Sequence, residues 1–170
     1  MSGQGSTQTV IVSLEFARTG QTLRGSLPLP GLTRLKDSLA DALGSVEFEV
    51  RGGEDARRRP ILTVVISGTL RLRCQRCLEA LDYPLRVVNT LLLVGNGEGA
   101  AGGLDDEDIE FVEASRELDL ATVVEDEILL SLPYAPRHDE GACGSLGAAV
   151  AERTAVTAFT KLAVLKRDTH

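Results

Sequence analysis

Two long strand-like segments separated by a short turn place the strongest constraint on how this chain folds. Ile61 to Cys74 is rich in β-branched residues, and Leu81 to Val94 continues the same pattern after the turn. Consecutive strands joined by so few residues pair antiparallel, so these segments predict a hairpin within a sheet. Gly68, which interrupts the first segment, predicts a β-bulge there.

Shorter patterns around this hairpin complete a predicted α+β fold, an antiparallel β-sheet with a few packed helices. Val10 to Phe16 and Val46 to Val50 alternate as strands do. Leu32 to Leu43 carries leucines at helical spacing, and Leu118 to Leu132 predicts a second helix capped by Asp119. The other predicted elements are a turn-rich connector at Gly25 to Pro30, a short strand at Ile109 to Val112 and a terminal helix or docking segment at Thr157 to Lys166.

Length and composition indicate one domain in a cytoplasmic protein. The 170 residues are 43% hydrophobic and 25% charged, which suits a single packed core. We expect residues 1–8 to be a disordered tail, and residues 9–170 to form the domain with a flexible glycine-rich loop at 95–104. No apolar stretch is long enough to span a membrane, and no secretory signal opens the chain. Three cysteines without such a signal indicate a reducing compartment.

The net charge of −7 is unevenly distributed. Residues 98–127 contain twelve acidic residues and one basic residue, whereas residues 51–86 contain eight arginines and four acids. An acidic chain lacks the field for tight nonspecific RNA binding, because that affinity comes from neutralised phosphates. A local RNA contact through Arg71, Arg73 and Arg76 is compatible with this balance, and the acidic stretch favours a basic partner. Solvation of both surfaces is the simpler interpretation of the charges alone.

Three cysteines and a histidine are the candidate metal ligands. Cys74 and Cys77 bracket the predicted hairpin turn, where two residues between the thiols let both sulfurs reach one ion. His138 and Cys143 follow a proline-rich segment and would complete a Cys3His set, the donor type of structural zinc. A redox dithiol and an inert pair of packed thiols remain open, because the two halves lie far apart in the sequence.

The acidic run in the second predicted helix offers little chemistry by itself. Glu125, Asp126 and Glu127 are consecutive, so they point about 100° apart and do not converge on one ion. We expect Glu127 to lie beside the apolar stripe, with Glu125 and Asp126 facing solvent. No phosphate-binding loop or nucleophile with an orienting partner is recognisable, so no small-molecule substrate is expected.

Several short motifs occur together in an order and spacing that resemble the bacterial YceD family. The likeness extends from about residue 70 to the end of the chain, with Ala158 standing where a proline is usual in the family. Its motifs are Cys74-Gln75-Arg76-Cys77, Val124 to Ile128 with Leu130, Leu132-Pro133, Pro136, His138, Cys143, Phe159, Leu162-Ala163 and Leu165-Lys166.

The resemblance implies a biological process and no known reaction. Family members are associated with accumulation of large-subunit ribosomal RNA, and no enzymatic activity is established for them. The implied partners are pre-ribosomal RNA, basic ribosomal proteins or processing factors, with Glu125, Asp126 and Glu127 as partner-binding candidates. The resemblance also implies that the two Cys/His halves belong together. A thiol-based redox or metal-dependent enzyme that uses Cys74 and Cys77 is the alternative.

Overall fold

The computed structural model describes residues 9–95 and 110–143. These residues form a mixed α+β fold, as the sequence predicts. The elements are β1 (Val10–Ile11), α1 (Ser13–Arg18), β2 (Thr22–Pro28), a 3₁₀ turn (Leu29–Gly31), β3 (Ser45–Glu54), β4 (Pro60–Arg73), β5 (Ala80–Val94), β6 (Glu110–Glu113), β7 (Leu118–Asp119) and α2 (Leu120–Ser131).

One five-stranded sheet forms the framework, with the strand order β2-β3-β4-β5-β6. The first four strands are antiparallel neighbours, and β6 joins β5 in parallel. The predicted hairpin is confirmed, since β4 and β5 pair from Ile61 opposite Leu92 to Arg73 opposite Ala80. A separate two-stranded pair is formed by β1 and β7.

The hydrophobic core lies on one face of this sheet. Strand alternation puts Leu62, Val64, Ile66, Leu70 and Leu72 of β4 inside, and both helices contribute buried side chains to the same cluster. The predicted bulge at Gly68 is wrong. That glycine pairs in register with both neighbouring strands, and a Cβ there would lie 3.1 Å from a side-chain carbon of the adjacent β3 strand. The glycine therefore serves close strand packing.

The N-terminal segment is a helix where alternation predicts a strand. Pairing ends after Ile11, and α1 begins at Ser13, whose backbone N–H and hydroxyl both donate to the carbonyl of Ser115 at 3.0 Å. Phe16 is buried, and a Cβ on Gly52 would lie 2.2 Å from its carbonyl oxygen. Of the alternating apolar positions, Phe16 is buried by a short helix that docks on a glycine of β3, whereas Val10 and Val12 are each 44% exposed.

The segment from Leu32 to Leu43 forms no helix, although leucines at helical spacing predict one. Leu32, Leu35 and Leu39 are buried, whereas Leu43 is 73% exposed. Some backbone hydrogen bonds of this segment close local turns, whereas others join it to β4, for example from the N–H of Ala40 to the Arg71 carbonyl at 2.7 Å. Because periodicity reports burial and not the partner of each N–H group, an irregular loop that buries three leucines fits the same pattern.

The predicted second helix and its cap are confirmed. α2 begins after Asp119, whose side chain accepts a hydrogen bond from the backbone N–H of Ala121 at 3.0 Å.

The predicted connector at Gly25 to Pro30 belongs largely to β2, while Ile109 to Val112 corresponds to β6. Residues 1–8, most of the predicted 95–104 loop and the terminal segment lie outside the described residues. Among the described residues, no helix has the length and apolar character that crossing a bilayer requires.

Candidate metal centre

The turn between β4 and β5 holds the first half of the candidate centre. The N–H of Cys74 donates to the carbonyl of Glu79 at 2.9 Å, and the N–H of Leu78 donates to the carbonyl of Cys74 at 2.9 Å. Leu78 adopts a φ of 64°, a conformation that is uncommon for a leucine and that tightens the turn. Cys74 and Cys77 are both buried, and they lie in the turn at the end of β4 as the sequence predicts.

The second half of the candidate centre, His138 and Cys143, lies in the segment that follows α2. A hydrogen bond of 2.9 Å from the N–H of Gln75 to the carbonyl of Pro136 ties this segment to the turn. The Nε2 atom of His138 lies 3.0 Å from the carbonyl oxygen of Ala80. Because a carbonyl only accepts, Nε2 is the protonated nitrogen, which leaves the lone pair of Nδ1 directed at the cysteine sulfurs.

The four candidate ligand atoms converge. Nδ1 of His138 is 3.4 Å from Sγ of Cys77 and 3.8 Å from Sγ of Cys143, and the Sγ atoms of Cys74 and Cys143 are 3.9 Å apart. All four atoms lie within 4.8 Å of one another. Two sulfurs bound to one tetrahedral zinc are about 3.8 Å apart, given a Zn–S distance of about 2.3 Å. The spacing and the donor types therefore fit one tetrahedral ion.

The thiols of this cluster are electrostatically coupled. Burial opposes ionisation of Cys74, but backbone hydrogen bonds from Cys77, His138 and Arg76 lower the pKa of its thiol to about 5. Cys77 accepts a backbone hydrogen bond from Glu79 that favours its thiolate, yet burial and the neighbouring thiols raise its pKa. Hydrogen bonding to Cys143 raises the pKa of His138. Ionisation of one thiol therefore opposes ionisation of its neighbours. A bound cation would offset this repulsion and allow all of them to be thiolates.

The three arginines considered for RNA contact lie in different settings. Arg76 is held at the cluster, with Nε 2.8 Å from Sγ of Cys143 and a terminal nitrogen 3.3 Å and 3.2 Å from the carbonyls of His138 and Asp139. Arg71 is ion-paired with Asp41 and lies 3.6 Å from Asp82. Arg73 is exposed on the solvent side of β4.

The acidic run on α2 is placed differently from the prediction. Glu125 does not face solvent: it is 7% exposed, and its Oε1 accepts hydrogen bonds from the backbone N–H groups of Arg34 at 2.7 Å and Leu35 at 3.3 Å. Glu125 thus supplies the acceptor for two backbone N–H groups of the 32–43 loop. Asp126 pairs with Arg34 at 2.6 Å and is half exposed.

Glu127 lies beside the apolar stripe, as predicted, and is 5% exposed. It accepts a hydrogen bond from Nδ2 of Asn89 at 2.8 Å. Burial raises the pKa of the Glu127 carboxyl, and the nearby charges of Glu110 and Asp126 add to this effect. Two of the three consecutive acids are therefore buried, and no local pattern marks Arg34 and Asn89, which lie far away in the sequence, as their partners.

The chain is thus an α+β domain with a candidate Cys3His metal centre, half of which lies in the turn of its central hairpin. The family model described as large ribosomal RNA subunit accumulation protein YceD matches residues 62–166, which include most of the hairpin and all four candidate ligands. The chain belongs to the YceD family, as its motifs predict.

A relative from Haemophilus influenzae carries the same description, large ribosomal RNA subunit accumulation protein YceD. It is 32% identical over 117 residues, which make up 66% of this chain and 64% of the relative. The matched region thus spans less than two thirds of the length of that relative. No solved structure matches this chain.

Proposed function

We propose that this protein is a non-enzymatic cytoplasmic factor that supports the accumulation of large-subunit ribosomal RNA, and that a structural zinc ion stabilises its fold. Membership of the YceD family and the name of the Haemophilus relative support the process. The observation that carries the structural role of the metal is the convergence of Cys74, Cys77, His138 and Cys143 within 4.8 Å.

The number of protein ligands favours a structural centre over a catalytic one. Structural zinc sites are closed by four protein ligands, whereas catalytic sites keep one position for water or substrate. Here three sulfurs and one imidazole nitrogen supply all four positions, and the carbonyl of Ala80 fixes the ring of His138. A bound zinc ion would join the β4–β5 turn to the segment after α2, and so hold two distant parts of the chain together.

The same geometry disfavours the redox alternative. A thioredoxin-type dithiol lies at the start of a helix after a strand. Cys74 and Cys77 instead occupy a hairpin turn that leads directly into β5, with a third thiol and a histidine beside them. A ligand set is thus the simpler explanation of why these four side chains are together.

Two surfaces are proposed for the ribosomal partners. We propose that the outer face of β4, with Arg71 and Arg73, touches pre-ribosomal RNA, with Arg76 at its end acting mainly on the cluster. For a basic ribosomal protein or processing factor, we propose a contact at Asp126, which is half exposed. Glu125 and Glu127 are left out of this contact because both are buried, with carboxylates that accept hydrogen bonds from the 32–43 loop and from Asn89.

Complementation of a deletion strain tests this function. The strain receives the wild-type gene, a Cys74→Ser variant or a Gln75→Ser variant, the last being an exposed control in the same turn. We expect lowered large-subunit RNA in the deletion strain, rescue by the wild type and by Gln75→Ser, and poor rescue by Cys74→Ser. Normal large-subunit RNA in the deletion strain would refute the role. Reversible dithiol–disulfide cycling of the metal-free protein in cells would support the redox alternative.

A further inference from the structure

An apolar groove lies between the edge strand β6 and α2. It encloses about 430 Å³ and is open to solvent. Leu91 and Val123 are buried and line it from the core side, while Phe111 and Leu130 are 48% and 70% exposed along it. Phe111 and Leu130 thus form a small exposed apolar surface that another segment could cover.

The rim of this groove is acidic. Glu110, Asp126 and Glu127 line it, and none of the described residues that line it is basic. The amide of Asn89 donates to both Glu110 and Glu127, so the two carboxylates are held close together. The groove therefore suits an occupant with an apolar face and flanking positive charges.

The end of this chain has these two properties. Residues 157–167 contain three basic residues and no acidic residue, with Phe159, Leu162 and Leu165 spaced as one face of a helix. Lys161 lies between Phe159 and Leu162 in the sequence, and Lys166 and Arg167 directly follow Leu165. The family match covers residues 62–166, so it includes both the groove and most of this segment.

The linker is long enough to allow this contact. Residues 144–156, thirteen in number, separate the segment from Cys143 and span up to about 45 Å when extended. A domain of this size has a radius of gyration of about 14 Å, so the reach exceeds its diameter. We propose that the C-terminal segment 157–167 docks in cis into the groove between β6 and α2, with its basic residues against Glu110 at the rim.

The intact chain with p-benzoylphenylalanine in place of Phe159 tests the docking. After irradiation, we expect an intramolecular cross-link from this position to β6 or α2 in the monomer. The Leu130→Asp variant should reduce its yield about tenfold or more, because it places a charge in an apolar contact. Leu43→Asp is the matched control, since this leucine is equally exposed but lies outside the groove.

Hydrogen exchange gives a second measurement that needs no photoreactive group. In a Leu162→Asp variant we expect faster exchange in β6 and at the exposed face of α2, with unchanged protection in β4. Cross-links that join two chains, cross-links to another surface, or none at all would overturn the proposal, as would unchanged exchange in Leu162→Asp. None of these readouts depends on ribosomal RNA or on metal, so they are independent of the proposed function.

Discussion

The Nε atom of Arg76 lies 2.8 Å from Sγ of Cys143. The turn that carries two candidate ligands thus also contacts the segment that carries the other two. The same guanidinium reaches the carbonyls of His138 and Asp139. A fixed positive charge beside three sulfurs favours their thiolate forms and offsets the negative charge of a Cys3His centre. Arg76 is therefore a positioning residue for the cluster.

Removing this guanidinium should weaken metal retention. We expect the Arg76→Gln variant to lose roughly tenfold or more in zinc affinity, because partners of metal ligands commonly contribute that much. Competition with a chromogenic chelator measures the affinity. Arg73→Gln is the control, since Arg73 lies three residues away on the solvent side of β4. Equal affinities for the two variants would show that Arg76 does not support the centre.

Removing a ligand should release the metal and destabilise the fold. Purified wild-type protein is expected to contain about one zinc ion per chain, and Cys74→Ser is expected to contain little. The free energy of unfolding of this variant should fall by several kilocalories per mole, because metal binding to the folded state contributes to folding. Elemental analysis and denaturant unfolding measure the two quantities. A metal-free wild type with the stability of Cys74→Ser would contradict the proposed centre.

The buried carboxylate of Glu125 should matter for stability. Glu125→Ala leaves the N–H groups of Arg34 and Leu35 without their acceptor, which should cost about 2–3 kcal/mol. Asp126→Asn on the same helix should cost less than about 1 kcal/mol, because its half-exposed ion pair with Arg34 is weak. Urea unfolding compares the variants. If both variants are destabilised by the same small amount, the interaction of Glu125 with the loop is not stabilising.

Glu127 should make stability depend on pH. Burial, followed by the charges of Glu110 and Asp126, raises its pKa in the folded state, against the hydrogen bond from Asn89. The folded state therefore holds this proton more tightly than the unfolded state, and its stability falls as the pH rises from the usual carboxyl range through the raised pKa.

The Glu127→Gln variant isolates this effect, because glutamine can keep the hydrogen bond from Asn89 without the charge. We expect the variant to gain stability relative to the wild type as the pH rises from 4 to 7, about the range above the usual pKa of a glutamate. Urea unfolding at several pH values measures the difference. A difference that is independent of pH would mean that Glu127 titrates as an ordinary exposed carboxylate.

The outer face of β4 should contribute to RNA contact. In the Arg71→Glu, Arg73→Glu double variant, we expect weaker association with large-subunit RNA and a binding constant less sensitive to salt, by about one unit of slope for each phosphate that an arginine no longer neutralises. Arg58→Glu is the control, since this exposed arginine lies before the opposite end of β4. Filter binding across a salt series measures the slope. Unchanged binding in the double variant would assign the ribosomal role to protein contacts.

Local patterns in the sequence were sufficient for the central hairpin, its CxxC turn and α2 with its Asp119 cap. Each depends on neighbouring residues: alternation for a strand, a tight turn for the thiols, and a side chain that meets an N–H two positions on. The apolar positions of the irregular loop were also recognisable, because Leu32, Leu35 and Leu39 are buried as their spacing predicts.

The tertiary structure decided which backbone those buried positions adopt and which distant groups meet. The loop is not helical because several of its backbone N–H and carbonyl groups bond to β4 or to Glu125. Both partners lie far from the loop in the sequence. Likewise, Cys77 and His138 lie 61 residues apart, and only the folded sheet brings their ligand atoms to 3.4 Å. Periodicity records which side chains leave water, whereas hydrogen-bond partners and ligand sets depend on how the elements pack together.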